Sequence, residues 1–115
     1  MRKEKDYKLV VQFIISSIYK IEKIADCSYE EFIENIEKYA SIIYFLEKIT
    51  DATKRIPAQI KAQYPQIDWI NIIGFRNILV HDYLGGYDNH IIWNTVHHEI
   101  PKLKNALIEI EAKLP

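Results

Sequence analysis

Apolar residues recur along this chain at spacings of three and four. That spacing predicts helices, even though isoleucine is abundant and favours strands by propensity alone. Tyr7, Val10, Val11, Ile14, Ile18, Ile21 and Ile24 form one stripe, with Lys8, Gln12, Lys20, Glu22 and Lys23 mostly away from it, as in a core-facing helix that ends near Asp26. Ser28 and Glu31 have the spacing of a capping box, which predicts a new helical start there. After an irregularity near Asn35, the residues Ile36, Ala40, Ile43, Leu46, Ile49 and Ala52 continue an apolar face until Pro57 stops the helix. Residues 58–63 have room for a short helical turn before Pro65. Asp68 is placed to cap a helix from Trp69 to about Asp82, with Gly85 and Gly86 as its stop. Asp88 is placed to cap the last segment, where Ile91, Ile92, Val96, Ile100, Leu103, Leu107 and Ile110 are apolar and Pro101 should kink or divide the helix. The expected fold is all-α: an up-and-down bundle of four to five helices.

Composition narrows this picture. The 115 residues, 49% of them hydrophobic, suffice for one core and are too few for two, so residues 1–115 read as a single domain. There is no internal repeat and no linker long enough to separate two units. No apolar run approaches the roughly 20 residues that cross a bilayer. The charged start MRKEKD leads into an amphipathic stretch rather than a signal peptide, so a cytoplasmic, non-membrane protein is expected. The lone Cys27 excludes an intramolecular disulfide and a cysteine-rich zinc site, and it reads as a packing residue. With a net charge of −1, any binding of nucleic acid needs a local basic cluster, including one assembled from two subunits.

The stretch RNILVHDYLGG, residues 76–86, sets polar side chains into an apolar helix. On a helical wheel Ile72, Phe75 and Leu79 face the core. Arg76 and Tyr83 share an edge of it, and Asn77 and His81, four apart, share a more polar face. Arg76 and His81 are about 140° apart on an ideal helix. They meet only if the arginine swings over, or if a second copy of the helix brings its own pair across a two-fold axis. The bland reading makes His81 a helix-end residue favoured by the helix dipole and pairs Arg76 with a carboxylate.

The sequence RNILVHDY also has the RX4HXY pattern, with Arg76, His81 and Tyr83 in its three places, and it resembles the HEPN superfamily. The resemblance is to the HepT-like branch of small toxins paired with minimal nucleotidyltransferase antitoxins. The start MRKEKDY, the block YPQIDWINIIGFRNILVHDY and the tail IIWNTVHHEIPKLK look like that family in the expected order. The chain departs from the pattern at EKITDATKR, where many relatives have a glycine and a glutamate. Thr50 and Asp51 stand there, and Glu47 or Asp51 are the acidic residues available as substitutes.

The resemblance implies a HEPN-type homodimer that acts as a metal-independent endoribonuclease without a cofactor, its two motifs meeting at the interface. His81 suits proton transfer at a ribose 2′-hydroxyl or a leaving 5′-oxygen, because its ordinary pKa lies near neutrality. Arg76 offers a permanent planar charge for the scissile phosphate. Asn77 and Asp82 are supporting residues. Tyr83 either closes the core edge or, as the resemblance implies, accepts AMP from the partner nucleotidyltransferase. Partners on this reading are an RNA substrate, the antitoxin and a second copy of the chain. The competing reading is a catalytically silent helical dimer that serves as a binding partner or nucleotide-responsive adaptor. Elsewhere, His90, His97, His98 and Glu99 lack a ligand set at helical spacing for a metal. Tyr87 and Trp93 have rings suited to stacking on RNA bases, though Trp93 and Trp69 sit among apolar neighbours and read as core or interface.

Overall fold

The computed structural model describes residues 2–81 and 88–114, with side chains for 7–79 and 88–114. Every regular element among them is helical: α1 (Arg2–Ile24), α2 (Tyr29–Glu34), α3 (Ile36–Thr53), α4 (Ala58–Lys61), α5 (Trp69–His81), α6 (Asn89–Asn94), a π-helical turn (Thr95–Glu99) and α7 (Ile100–Ala112). Four long rods result, since α6, the π turn and α7 run on from one another. The rods alternate in direction. Lys38 near the start of α3 donates to the Ile24 carbonyl at the end of α1. Lys104 near the start of α7 reaches Glu22 late in α1 at 2.7 Å, while Lys113 at the far end reaches Tyr64. This is the up-and-down helical bundle that the HEPN-type resemblance implied. Among the described residues no helix is long and apolar enough to cross a membrane.

The caps explain where the rods begin. Ser28 Oγ accepts from the Glu31 amide at 3.1 Å, while the Glu31 carboxylate turns to Lys38 at 3.6 Å. Asn35 is a full break rather than an irregularity: it ends α2, and its Oδ1 then accepts from the Lys38 amide to start α3. Pro101 divides the last rod, as its sequence suggested. Having no N–H, it cannot bond the carbonyl four residues back, and the turn before it widens into the π form, with the Ile100 amide donating to the Thr95 carbonyl.

One core runs through the bundle. Ile14, Ile18 and Ile21 of α1, Ile42, Leu46 and Ile49 of α3, Leu79 of α5 and Leu103 and Leu107 of α7 are all essentially sealed from solvent. Two expected core positions fail. Ile36 is 81% exposed and Ala40 is also exposed, because both lie to one side of the face of α3 that packs, which runs through Tyr39, Ile42, Leu46 and Ile49. Ile42 is buried instead, as are Thr50 and Thr53. The threonine hydroxyls donate within the helix to the carbonyls of Glu47 (3.0 Å) and Ile49 (2.7 Å), so burial leaves no unmet polar group. Val10 and Ile24 of the first stripe are half-buried, and Ile91 is 45% exposed.

Candidate functional site

The candidate residues Arg76, Asn77 and His81 ride on α5, and its geometry starts at Asp68. One carboxylate oxygen of Asp68 accepts from the Asn71 amide (3.1 Å) and the other from its side chain (2.6 Å), which satisfies the free start of the helix. Trp69 anchors the same end to the short α4 turn, its indole N–H shared between the carbonyls of Lys61 (3.0 Å) and Tyr64 (3.1 Å). From there α5 runs unbroken to His81.

This helix is apolar nearly all round. Its inner face, Ile72, Phe75 and Leu79, is buried in the core. Its opposite face holds Ile70, 83% exposed, then Gly74, Asn77 and Ile78, all exposed, and the helical register continues that face to position 81. A helix that is hydrophobic on every side belongs inside a structure, yet one copy of the chain covers only half of this one. Gly74 sits mid-face with open space where a Cβ would be.

Arg76 lies between the two faces and is half-buried. Among the described residues it makes no ion pair with a carboxylate, so the carboxylate pairing of the bland reading is not formed there. On one helix Arg76 and position 81 are about 7.5 Å apart along the axis and about 140° around it. A single α5 therefore presents them on different sides. Asp82 and Tyr83 lie outside the described residues, as do Gly85, Gly86 and Tyr87.

Of the two acidic substitutes in α3, one is engaged elsewhere. Asp51 lies near Lys54 (3.8 Å) and Arg55 (4.0 Å), on a groove shared with Tyr7, Val10 and Phe13 of α1, and Glu47 is half-buried. The Cys27 thiol has its pKa raised, first by burial and then by Glu31, which suits packing better than reactivity. Glu99 pairs with Lys102 at 3.7 Å, and no group of three metal-ligating side chains comes together among the described residues.

An aromatic cluster that local spacing does not reveal joins α2, the start of α3 and α6. Phe32 is buried at its centre, with Tyr39 at 5.0 Å and Trp93 at 5.1 Å between ring centroids. Tyr29 meets Trp93 edge-on at 5.6 Å and carries His90 stacked on it at 4.7 Å. Trp93 also packs on His97 at 4.0 Å, and burial, followed by the neighbouring His98, lowers the His97 pKa from its ordinary value. These rings come from segments some 60 residues apart, so no local pattern links them.

Comparison with known proteins gives one consistent answer. The family model described as "Ribonuclease HepT-like" matches residues 14–110. "Putative RNase MJ0125" of Methanocaldococcus jannaschii is 35% identical over 108 residues, covering 93% of this chain and 92% of that protein. "Probable ribonuclease HepT" of Thermococcus cleftensis is 34% identical over 104 residues, covering 90% and 91%. "Putative RNase TTE0752" of Caldanaerobacter subterraneus is 32% identical over 95 residues, covering 83% and 84%. No solved structure gives a significant match.

Proposed function

Starting from the fact that this chain belongs to the ribonuclease HepT-like family, we propose that it is a metal-independent endoribonuclease, the toxin of a toxin–antitoxin pair, working in the cytoplasm as a homodimer. The observation that carries this reading is the outer face of α5, which is apolar, uncovered and carries Asn77 and the register of His81. Covering that face with the same face of a second copy buries Ile70 and Ile78 and brings two sets of Arg76 and His81 to one seam. It also answers the charge problem, since two arginines concentrate positive potential on a chain of net charge −1.

In that seam the chemistry needs no metal. One neutral His81 imidazole takes the proton of a ribose 2′-hydroxyl as its oxygen attacks the adjacent phosphorus. A protonated imidazole donates to the departing 5′-oxygen, leaving a 2′,3′-cyclic phosphate and a 5′-hydroxyl. Arg76 meets the charge that grows on the phosphoryl oxygens, and Asn77, one turn before His81, orients the imidazole or binds phosphate, with Asp82 in support. Control comes from a minimal nucleotidyltransferase antitoxin. The Tyr83 phenol attacks the α-phosphorus of ATP, pyrophosphate leaves, and the attached AMP sets a phosphate against Arg76 in the substrate's place.

The test is cleavage of labelled RNA by the purified protein with and without EDTA, with His81→Ala and Arg76→Ala as controls. Expected are EDTA-resistant cleavage by the wild type and none by either variant. A wild type that leaves RNA intact supports the silent-adaptor reading, and cleavage that survives both substitutions moves the site elsewhere.

A further inference from the structure

The His90–Tyr29 stack is a part of the aromatic cluster that reaches solvent as a ring surface. The two rings are 4.7 Å apart and 11° from parallel, His90 is nevertheless exposed, and among the described residues no second ring packs on it. The support beneath it is rigid. Tyr29 rests edge-on against Trp93 and tilted against the buried Phe32. The backbone of His90 is pinned as well, because Asp88 accepts from the His90 and Ile91 amides at 3.1 and 3.2 Å. Asn89, beside it, accepts a 2.6 Å hydrogen bond from the Tyr39 hydroxyl of α3. A ring already held in place loses little freedom when something stacks on it.

Its position matters equally. Residue 88 follows residue 81 by seven positions, so this platform begins within about 25 Å of the end of α5 by chain length alone. Trp93, the ring that the sequence offered for stacking, is half-buried behind Tyr29 and unavailable. From these observations we infer that His90, backed by Tyr29, is a stacking platform for an unpaired base of the RNA flanking the cleaved bond. The substrate it selects is single-stranded, because a base in a duplex keeps both faces covered and presents none to the imidazole. His90 is thus a substrate-positioning residue rather than a catalytic one. This inference rests on the ribonuclease reading above.

The experiment measures binding and cleavage separately. A fluorescein-labelled, mixed-sequence single-stranded RNA is titrated by anisotropy with protein carrying His81→Ala, to prevent turnover, with and without His90→Ala or His90→Phe. Loss of a stacking ring is expected to weaken binding roughly tenfold. His90→Phe should bind within a few-fold of the parent, because it restores the ring without the nitrogens. In the cleaving background His90→Ala should raise KM rather than lower kcat, and a fully paired duplex should show no difference between the variants. Equal binding by His90→Ala and its parent overturns the inference, and so does a His90→Phe variant as weak as His90→Ala, which would point to a hydrogen-bonding role. If the wild type cuts RNA and these variants match it, the platform alone is refuted; if the wild type neither binds nor cuts, the ribonuclease reading falls and the platform with it.

Discussion

Gly74→Trp separates what the lone chain requires from what a pair of chains requires. Within one copy the position is permissive: it lies in the interior of α5 with nothing near the site of a Cβ. Glycine is the poorer helix former there by roughly 0.5 kcal/mol relative to tryptophan, so the substitution should leave the fold intact or slightly firmer. In the proposed dimer the same residue sits mid-face where two helices approach to about 8–10 Å between axes. An indole has no place in that gap, and overpacking costs about 1–3 kcal/mol at each site. Two-fold symmetry applies the cost twice, about 2–6 kcal/mol in all, which weakens association by about 30-fold to more than 10,000-fold at 1.4 kcal/mol per decade. Sedimentation velocity across a micromolar concentration series should show the variant as monomer where the wild type is dimer, with an unchanged helical circular-dichroism signal and RNA cleavage lost. A Gly74→Trp protein that stays dimeric and still cleaves RNA refutes the α5 interface. One that unfolds refutes the claim that the outer face is free in a single copy.

Other outcomes follow from the same site and its surroundings. His81→Ala and Arg76→Ala should each abolish cleavage with circular dichroism near wild type, and Arg76→Ala should also cost a little stability because the residue is half-buried. After incubation with ATP, magnesium and the cognate nucleotidyltransferase, the wild type should gain mass in AMP units and stop cutting RNA, whereas Tyr83→Phe should gain none and keep cutting; modification of the variant at the wild-type level would move the acceptor, with Tyr87 next to examine. His97 has a lowered pKa in the folded state, so the unfolded chain binds the proton more readily. Its contribution is whole above the ordinary histidine value and is lost as pH falls toward the lowered one, so the urea midpoint should drop on mild acidification and His97→Phe should flatten that drop.

Caps and most faces were legible in the sequence, while the edges of faces and long-range meetings were not. The positions of Ser28, Asp68 and Asp88 are decided by chemistry within four residues, and each is found capping the helix it precedes. Ile36 and Ala40 fit the spacing and still face water, because spacing does not fix where around the helix the packed face is centred, and in α3 that face runs through Tyr39, Ile42 and Leu46. Thr50 and Thr53 look polar by type and are buried, since each hydroxyl finds a carbonyl within its own helix. For the site, the register of Arg76 and Asn77 on α5 was readable from spacing alone. The stack of His90 on Tyr29 was not, because no local pattern links positions 29 and 90.

The widened turn at Thr95–Glu99 gives the last rod one residue of slack. In a continuous α-helix, adding or removing a residue rotates everything downstream by about 100°. Here Ile92, Val96 and Ile100 follow at steps of four, and Leu103, Leu107 and Ile110 then return to alternating steps of three and four, all of them buried. The π turn is what lets the aromatic end and the aliphatic end of this rod face the same core. Deleting one residue between Thr95 and Glu99 would tighten the turn and swing either Trp93 and Ile92 or Leu103 and Leu107 toward water. Pro101, unable to supply the missing amide, blocks the tighter form at just that point. The length of this segment is therefore fixed more strictly than its residue types, and variation in the rod should appear as substitution rather than as gain or loss of a residue.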